Sequence, residues 1–306
     1  MNPESPYPIG TPGQPWDADE KAEWVSRQSV RRSYAEQVVT RLRAIDNAFE
    51  IRQYGSLSIE PERYPLYAAR NRHWNEDRPV VLVTGGVHGY ETSGVQGALR
   101  FLASRATDFL DACTLIVAPC VSPWGYETIN RWNPQAVDPN RSFLPGSLSE
   151  EARALTDFVA PFAAQVKVHI DLHETTDTDN LEFRPALAAR DATPQELWDI
   201  PDGFYTVADS ARPSPGFQRA IIASVERVTH IAAPDADGRI IGEPLQQRGV
   251  IAYDARPLGL CMGLTDAECV TTTEVYPDSS RTDPENCIEA QLAAVTGGLK
   301  YVFGIS

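Results

Sequence analysis

Apolar and polar positions follow two different periods along this chain, and these periods predict strands and helices in alternation. Residues 81–85 are mostly apolar and β-branched, which is typical of a buried strand. Residues 166–173 alternate between apolar and polar side chains and predict a second strand. Three more strands are predicted at residues 49–57, 65–70 and 270–276.

Helical periodicity separates most of these strands. We predict helices at residues 17–46, 92–104, 148–164, 214–229 and 286–301, and the start of another at 193–198. Alternating strands and helices favour an α/β fold in which helices cover both faces of a mixed, largely parallel central sheet. We expect residues 1–16 to be an extended arm and residues 17–306 to be a single catalytic domain, with 180–249 as an insertion covering its cleft.

Two potential metal ligands follow the strand at residues 81–85. The chain passes through Gly86 and then presents His88 and Glu91, an imidazole and a carboxylate three residues apart that can bind one small cation such as Zn²⁺. The spacing alone is weak support, because it occurs by chance in many chains. Its place at the end of a core strand, where open α/β sheets bind ligands, strengthens the interpretation.

A third ligand has few candidates, because the chain contains five histidines. His169 and His173 lie on the strand predicted at 166–173, and their even spacing puts them on one face. His169 would lie about 13 Å deeper, at roughly 3.3 Å per residue, so we leave it as a core residue or a partner of a ligand. His173, with His88 and Glu91, leaves one position open for water, as in catalytic rather than structural zinc sites.

A loop rich in asparagine and proline, residues 130–143, lies between the two halves of this site. It contains Arg131 and Arg141. Arginine donates two parallel hydrogen bonds to a carboxylate and stays charged, and it can stabilise an oxyanion that forms on a carbonyl. For a lone Asn-Arg pair, a solvated loop with surface arginines would be the preferred interpretation, but the place of this loop between two halves of a metal site favours a functional role.

Four segments carry a family resemblance. They are His88-Gly89-Tyr90-Glu91, the loop from Arg131 to Phe143, Asp171-Leu172-His173, and the strand at 270–276 that contains Glu274. In this order they resemble the zinc carboxypeptidases of the M14 type and their aspartoacylase and succinylglutamate desuccinylase relatives, over roughly residues 75–300. The resemblance implies a zinc carboxypeptidase-like fold and one Zn²⁺ per chain, bound by His88, Glu91 and His173.

The resemblance also implies roles around that ion. Glu274 would be the general base and acid, because zinc lowers the pKa of its bound water toward about 7 and a neighbouring carboxylate can move the proton to the leaving amine. An outward-facing glutamate on an edge strand is the alternative. Arg131 would stabilise the oxyanion, and Asn140 with Arg141 would bind the terminal carboxylate of the substrate. Tyr253 is a candidate for the tyrosine such enzymes carry ahead of the catalytic glutamate, with simple packing or exposure equally open.

The chain departs from the family pattern at several positions. Ala136 stands where a glycine is usual and Pro139 where an aliphatic residue is usual, so the loop backbone is expected to differ. After His173 the chain is acidic, with Glu174, Asp177 and Asp179. We take these three as solvated loop charges, with preference for a basic or amino-bearing substrate as the alternative.

Composition limits the partners of the chain. Its 306 residues include 27 Lys and Arg against 42 Asp and Glu, a net charge of −15 with a sequence pI near 4.8. This balance disfavours nucleic acid or an anionic membrane as a partner, because phosphates would be repelled. No apolar run approaches the roughly 20 residues of a membrane helix.

Cysteine usage and the first residues bear on location. Five cysteines form no Cys-x-x-Cys pair, and their apolar contexts favour free buried thiols. Residues 1–8 lack the basic start and apolar run of a secretory signal. We expect a cytoplasmic protein without structural disulfides, unless a signal has been removed from the chain.

Three functions are compatible with these residues. The preferred hypothesis is a zinc metallocarboxypeptidase that hydrolyses the amide bond beside a free carboxylate. An N-acyl amino-acid deacylase of the aspartoacylase or succinylglutamate desuccinylase kind would use the same site. A non-catalytic module that binds a metal or a carboxylate is less favoured, because Glu274 and Arg131 are both present. The expected partner is a peptide or N-acyl amino-acid substrate, and the oligomeric state is not predicted.

Overall fold

The computed structural model describes residues 7–45 and 47–305. Its strands are β1 (Phe49–Ser56), β2 (Pro65–Asn71), β3 (Val80–Gly85), β4 (Thr114–Ala118), β5 (Val166–Glu174), β6 (Tyr205–Asp209), β7 (Arg239–Ile240), β8 (Glu243–Pro244), β9 (Val250–Tyr253) and β10 (Cys269–Val275). Its α-helices are α1 (Ala18–Ser26), α2 (Thr40–Arg43), α3 (Thr92–Ser104), α4 (Pro123–Thr128), α5 (Glu150–Val159), α6 (Arg184–Asp191), α7 (Pro215–Val225) and α8 (Pro284–Phe303). A π-helical turn precedes α2 at Ala35–Val39 and another precedes α6 at Asp179–Phe183, and 3₁₀ turns lie at Ala106–Phe109, Pro139–Arg141, Ala160–Gln165 and Cys261–Gly263.

Eight strands form one mixed sheet in the order β1-β2-β4-β3-β5-β10-β6-β9. Four of its strand pairs are parallel (β3/β4, β3/β5, β5/β10 and β6/β9) and three are antiparallel. The predicted mixed, largely parallel sheet is therefore confirmed. Because β4, β3, β5 and β10 run side by side in one direction, their carboxyl ends meet at a single edge of the sheet.

Helices cover both faces of this sheet, as predicted. Along β3, Val81 and Val83 belong to a core layer completed by α3, α7 and α8, whereas Val80 and Leu82 belong to the opposite layer, completed in part by α5. Side chains of a strand point alternately to its two faces, and here both faces are buried. This double burial explains why β3 is a continuous apolar run.

The single helix predicted at residues 17–46 is wrong. Helix α1 ends at Ser26, and regular helical structure resumes only near Ala35. Between them, the backbone amides of Arg31 and Arg32 donate to the carbonyl of Glu127, at 2.8 and 3.3 Å. These long-range hydrogen bonds replace helical ones, and a periodic pattern cannot reveal them.

The helix start predicted at residues 193–198 is also wrong. The helix in this region is α6, which ends where Ala192 adopts a left-handed conformation at φ 52°. Beyond it, Asn180 and Arg184 donate side-chain hydrogen bonds to carbonyls within 193–198, which hold the segment extended. The other predicted strands and helices are present, with bounds that differ by a few residues.

The N-terminal segment packs against the domain. Of the predicted arm, residues 1–6 lie outside the described residues, and 7–16 form no helix or strand. Ile9 and Trp16 are buried in an aromatic cluster, where the Trp16 ring lies 6.1 Å from that of Trp132. The division into an arm, a domain and an insertion stays a prediction.

Two further expectations concern the whole chain. All five cysteines are free and buried, at positions 113, 120, 261, 269 and 287. Within residues 7–45 and 47–305, no helix combines the length and apolarity needed to cross a membrane.

Candidate metal centre and active site

The three residues predicted as metal ligands meet at the carboxyl edge of the sheet. Strands β3 and β5 are parallel neighbours, so the loop after β3 and the end of β5 lie side by side. The Nδ1 atom of His88 lies 2.7 Å from Oε1 of Glu91, and the Nδ1 atom of His173 lies 2.8 Å from its Oε2. One ligand atom from each residue lies within 4.8 Å of the other two, and all three residues are buried.

Each histidine is oriented by a second carboxylate. The Nε2 atom of His88 lies 2.9 Å from Oδ1 of Asp138, and the Nε2 atom of His173 lies 2.7 Å from Oδ2 of Asp171. The other oxygen of Asp171 accepts a hydrogen bond from the Thr84 hydroxyl at 2.6 Å. With a cation bound, a proton on each Nε2 would satisfy these bonds and leave each Nδ1 lone pair free to bind the cation beside Glu91. Carboxylate–histidine pairs of this kind fix the ring of a metal ligand and raise its basicity.

The donor set fits a divalent cation. Burial favours the neutral acid, but His173 and His88 outweigh it and lower the pKa of Glu91 to about 2. Oε2 of Glu91 is buried, and its contact with His173 lacks the geometry of a hydrogen bond. Two ring nitrogens and a carboxylate converge on one point, where a shared cation could accept the lone pairs of all three groups. One carboxylate and two imidazoles are typical ligands of catalytic zinc.

Glu274 faces the same site from β10. This strand lies inside the sheet, between β5 and β6, and pairs Glu274 with His173 in register. The side chain is half-buried, and its Oε2 accepts a hydrogen bond from the Thr175 hydroxyl at 2.8 Å. Burial is the main cause that raises the pKa of Glu274 to about 8. The outward-facing edge position considered for this residue does not occur.

Arg131 lies beside the metal ligands but is already paired. Its Nε lies 3.1 Å from Oδ2 of Asp138 and its Nη1 lies 3.2 Å from Oδ1 of Asp179, while the guanidinium stacks 4.3 Å from the centre of the Phe183 ring. Asp138 therefore joins Arg131 to His88. The guanidinium is thus linked to His88 through Asp138, and its charge is partly neutralised by Asp138 and Asp179.

The expectation that the acidic residues after His173 are solvated is wrong for two of the three. Glu174 is buried, its Oε1 accepts the amide proton of Ser93 at 2.6 Å near the start of α3, and burial raises its pKa to about 7. Asp179 is buried against Arg131 and also accepts a hydrogen bond from the Tyr90 hydroxyl at 2.9 Å. Only Asp177 is exposed. Glu174 is buried because β5 extends to it, and Asp179 is buried because the π-helical turn that it opens packs against Arg131 and Tyr90.

The residues proposed for carboxylate binding line the same cavity, which has a volume of about 770 Å³. The Oδ1 atom of Asn140 accepts the amide proton of Cys261 at 2.7 Å, and Arg141 donates to the backbone carbonyl of Asn140 at 2.7 Å. Tyr253 lies at the end of β9, and burial is the main cause that raises its pKa to about 12. His88, Arg131 and Glu274 also line this cavity.

The loop departures predicted at Ala136 and Pro139 are visible in the backbone. Ala136 adopts a left-handed conformation with φ 54°, which glycine adopts more readily. Pro139 opens the short 3₁₀ turn Pro139–Arg141, and the side chain of Asp138 accepts the amide proton of Asn140 at 2.9 Å at its start.

Several residues of the site were not predicted to act in it. Asp138 and Asp171 orient the histidines, Asp179 pairs with Arg131, and Arg184 lines the cavity. The even spacing of Asp171 and His173 on one strand could have predicted that Asp171 orients His173. The positions of Asp179 and Arg184 depend on a π-helical turn that has no simple sequence pattern.

Comparisons with known proteins agree with this geometry. Residues 77–199 match a family model described as the succinylglutamate desuccinylase/aspartoacylase catalytic domain. No curated protein is significantly similar to the chain in sequence.

Three similar solved structures show the fold. A protein of Shewanella amazonensis, provisionally assigned as a metallopeptidase, has a TM-score of 0.67 at 19% identity over 92% of this chain and 100% of that one. A similarly assigned protein of Shewanella denitrificans has a TM-score of 0.64 at 18% identity over 87% of this chain and 89% of that one. A metallo-carboxypeptidase of Burkholderia cenocepacia has a TM-score of 0.59 at 15% identity over 95% of this chain and 70% of that one. Residues 77–199 are thus similar to the succinylglutamate desuccinylase/aspartoacylase catalytic domain, in a chain with a carboxypeptidase-like fold and a buried His-Glu-His group that could hold a metal ion.

Proposed function

We propose that this protein is a zinc-dependent hydrolase that cleaves an amide bond next to a free carboxylate, acting as a metallocarboxypeptidase. The observation that carries this proposal is the position of Glu274, which lies in register with the ligand His173 and lines the same cavity. A metal triad, a carboxylate with a raised pKa and a set of guanidinium groups in one cavity are the parts that such a reaction requires.

The proton transfers fall to Glu274. A bound zinc ion would supply Lewis-acid activation of the attacking water and polarisation of the substrate carbonyl. Glu274 would take the proton of that water and pass it to the leaving nitrogen, and the Thr175 hydroxyl, which donates to Oε2 of Glu274, would hold the carboxylate in place. Since burial raises the pKa of Glu274 to about 8, this side chain holds a proton more readily than an exposed glutamate does.

Arg131 would stabilise negative charge on the reacting carbonyl oxygen. Its Nε and Nη1 atoms are engaged with Asp138 and Asp179, and its Nη2 makes no hydrogen bond to the described residues. Asp138 and Asp179 would orient the guanidinium in advance, so that its remaining N–H groups could donate to the carbonyl oxygen without a change in side-chain conformation.

Asn140 and Arg141 would bind the free carboxylate of the substrate. Oδ1 of Asn140 is engaged by the amide of Cys261 and Nη1 of Arg141 by the carbonyl of Asn140, and Arg141 has no ion pair among the described residues. Arg141 is also solvent-exposed at the cavity, so a carboxylate can reach it. Tyr253 lies on the same cavity and would contribute a hydroxyl donor.

Deacylation of N-acyl amino acids is the second candidate, and the family match at residues 77–199 favours it. Both reactions hydrolyse an amide beside a carboxylate, so they differ in what occupies the cavity on the acyl side. Purified protein would be assayed with blocked dipeptides and with N-acyl amino acids, before and after a chelator. Hydrolysis of dipeptides that is lost on chelation supports the peptidase, and activity on N-acyl amino acids alone supports the deacylase. Bound metal without any hydrolysis would support a binding module.

The decisive variant is Glu274→Gln. Loss of the carboxylate should lower kcat by about 10²–10⁴-fold, which is the usual contribution of a general acid–base group. Zinc content, measured by elemental analysis, should stay at the level of the parent protein, because Glu274 is not one of the three ligands. Glu268→Gln removes an exposed carboxylate beside the opposite end of β10 and should leave kcat unchanged. Full activity of the Glu274 variant would refute the proposed mechanism.

A further inference from the structure

Arg32 contacts the loop that carries His88 and Glu91, here called the ligand loop, although Arg32 lies outside the family match at residues 77–199. Its guanidinium donates to the carbonyls of Gly89 and Tyr90, at 3.0 and 3.3 Å, to the Thr92 hydroxyl at 2.6 Å and to the carbonyl of Tyr126 at 2.6 Å. The same group stacks on the ring of Tyr126, with 3.6 Å between the guanidinium carbon and the ring centre. One side chain therefore joins the N-terminal region to the segment between His88 and Glu91.

The backbone carbonyls of residues 86–90 have different hydrogen-bond donors, and Arg32 supplies those of Gly89 and Tyr90. Ser122 donates to the carbonyls of Gly86 and Val87, and the amide of Glu91 donates to that of His88. Among the described residues, the carbonyl of Gly89 accepts only from Arg32, and that of Tyr90 accepts from Arg32 and from the Thr92 hydroxyl, which Arg32 also contacts. Among the described donors, Arg32 is thus the sole partner of the Gly89 carbonyl and one of two partners of the Tyr90 carbonyl.

Close packing against α4 also restricts the backbone at Gly89. A Cβ atom at Gly89 would lie 2.1 Å from the backbone nitrogen of Tyr126, so the chain passes directly against α4. That contact restricts the backbone at Gly89, and Arg32 satisfies the carbonyls of Gly89 and Tyr90. An unsatisfied carbonyl there would cost free energy and favour rotation of its peptide group.

The backbone around Arg32 is anchored at Glu127, whose carboxylate binds the neighbouring Tyr34 and whose carbonyl binds Arg32. The amide of Tyr34 donates to Oε1 of Glu127 at 2.8 Å, while Arg63 and the hydroxyl of Tyr64 donate to its Oε2 at 2.7 and 3.1 Å. The carbonyl of Glu127 accepts the amide of Arg32. The turn that carries Arg32 is therefore a built part of the fold.

We propose that Arg32 is a positioning residue for the metal centre, which fixes the peptide groups of Gly89 and Tyr90 and so directs both oxygens of Glu91 toward His88 and His173. The inference rests on the proposed metal-dependent function, and it extends the site to a residue about 45 positions ahead of the matched domain's first residue, 77. Residues that orient metal ligands typically change metal affinity by about 10–100-fold when they are replaced.

The test compares Arg32→Gln with the parent protein, both as full chains. Zn²⁺ affinity would be measured by competition with a chromogenic chelator, and the visible spectrum of the Co²⁺-loaded protein would report ligand geometry. We expect Arg32→Gln to weaken Zn²⁺ binding by about 10–100-fold and to alter the Co²⁺ spectrum. Arg32→Lys should be intermediate, because an ammonium group can reach one acceptor but cannot span several as a planar fork does.

The matched control is Arg41→Gln. Arg41 lies in α2 and donates to Gln96 of α3 without contacting the ligand loop, so its loss should leave Zn²⁺ affinity and the Co²⁺ spectrum unchanged. If Arg32→Gln does not fold, Arg32→Lys and Thr92→Val carry the test, since the second removes one acceptor of the guanidinium.

The measurements distinguish failure of the positioning role of Arg32 from failure of the proposed hydrolase function. Parent-like affinity and spectrum in the folded Arg32 and Thr92 variants would overturn the positioning role and leave the proposed hydrolase intact. A parent protein that binds neither Zn²⁺ nor Co²⁺ would overturn the proposed function, and this inference with it.

Discussion

At the scale of single residues, the loop that carries Arg131 and Asp138 is held in a conformation that its own sequence disfavours. Ala136 lies at φ 54° with its side chain buried, and an L-residue pays about 1–2 kcal/mol in this region. Asn133 stabilises the turn that contains Ala136, because its Oδ1 accepts hydrogen bonds from the amides of Gln135 and Val137 at 3.0 and 3.1 Å. The functional side chains are therefore placed by polar contacts that outweigh local backbone preference.

Ala136→Gly should be nearly neutral for stability. Relief of the left-handed strain offsets the lost methyl burial and the added freedom of glycine in the unfolded chain. Ala294→Gly is the matched control, because Ala294 is equally buried but lies in the middle of α8. We expect the control to cost about 1–2 kcal/mol more in urea unfolding than Ala136→Gly. Equal losses in the two variants would show that Ala136 stores no strain.

At the scale of elements, α5 supports the loop from behind. Glu151 is buried in its first turn, where Oε2 accepts a hydrogen bond from the side chain of Asn133 at 3.2 Å and Oε1 lies 3.3 Å from the hydroxyl of Ser122. Ser122 in turn contacts the carbonyl of Val87, just before the metal ligands. One carboxylate thus connects the arginine loop with the ligand loop.

Glu151→Ala should destabilise the protein by about 1–3 kcal/mol, because the buried amide of Asn133 would lose its acceptor. The neighbouring Glu150→Ala is the control, since it removes the same charge from the first turn of α5 but from a position with more solvent exposure. It should cost about 1 kcal/mol, because it removes a charge near a helix N-terminus and the exposed hydrogen bond from the amide of Ser58 to Oε2 of Glu150. Urea unfolding of both variants measures the difference, and equal costs would argue against a supporting role for Glu151.

The elements also show what local sequence could and could not predict. The apolar run of β3, the alternating pattern of β5 and the helical period after Glu91 gave correct strands and a correct helix, because each depends on neighbours in the chain. His88, Glu91 and His173 meet as a group that could hold a metal ion. The break after α1 and the burial of Glu174 depend on partners distant in sequence, Glu127 and Ser93. Arg32 was part of a predicted helix for the same reason. Contacts of this kind leave no periodic signature.

At the scale of the whole molecule, charge is distributed unevenly. The chain carries −15 overall, yet Lys21, Arg141 and Arg184 line the cavity without an ion pair among the described residues. Arg131 and Arg190, which also line it, are paired with Asp179 and Asp191. Carboxylates such as Glu174 and Glu274 also line the cavity, so these three cations are separate points at which an anionic group of a ligand could bind.

Arg184 provides the clearest test of this distribution. Its Nε is buried with no hydrogen-bond partner, and its Nη1 donates to the carbonyl of Glu196, so no carboxylate neutralises it. Burial is the main cause that lowers its pKa. A charged group in this state gains most from an anion supplied by the ligand.

We therefore expect Arg184→Gln to raise KM about tenfold or more for a substrate with a second carboxylate, since a hydrogen bond to a charged group contributes about 1.5–3 kcal/mol. The KM for a substrate with one carboxylate should change less, and kcat should stay similar for both. Arg219→Gln removes the same charge from an exposed position on α7 and should change neither constant. Steady-state kinetics with the two substrates decide the point. A uniform rise in KM for both would mean that Arg184 acts through the general field of the cavity, whereas unchanged constants would exclude it from ligand binding.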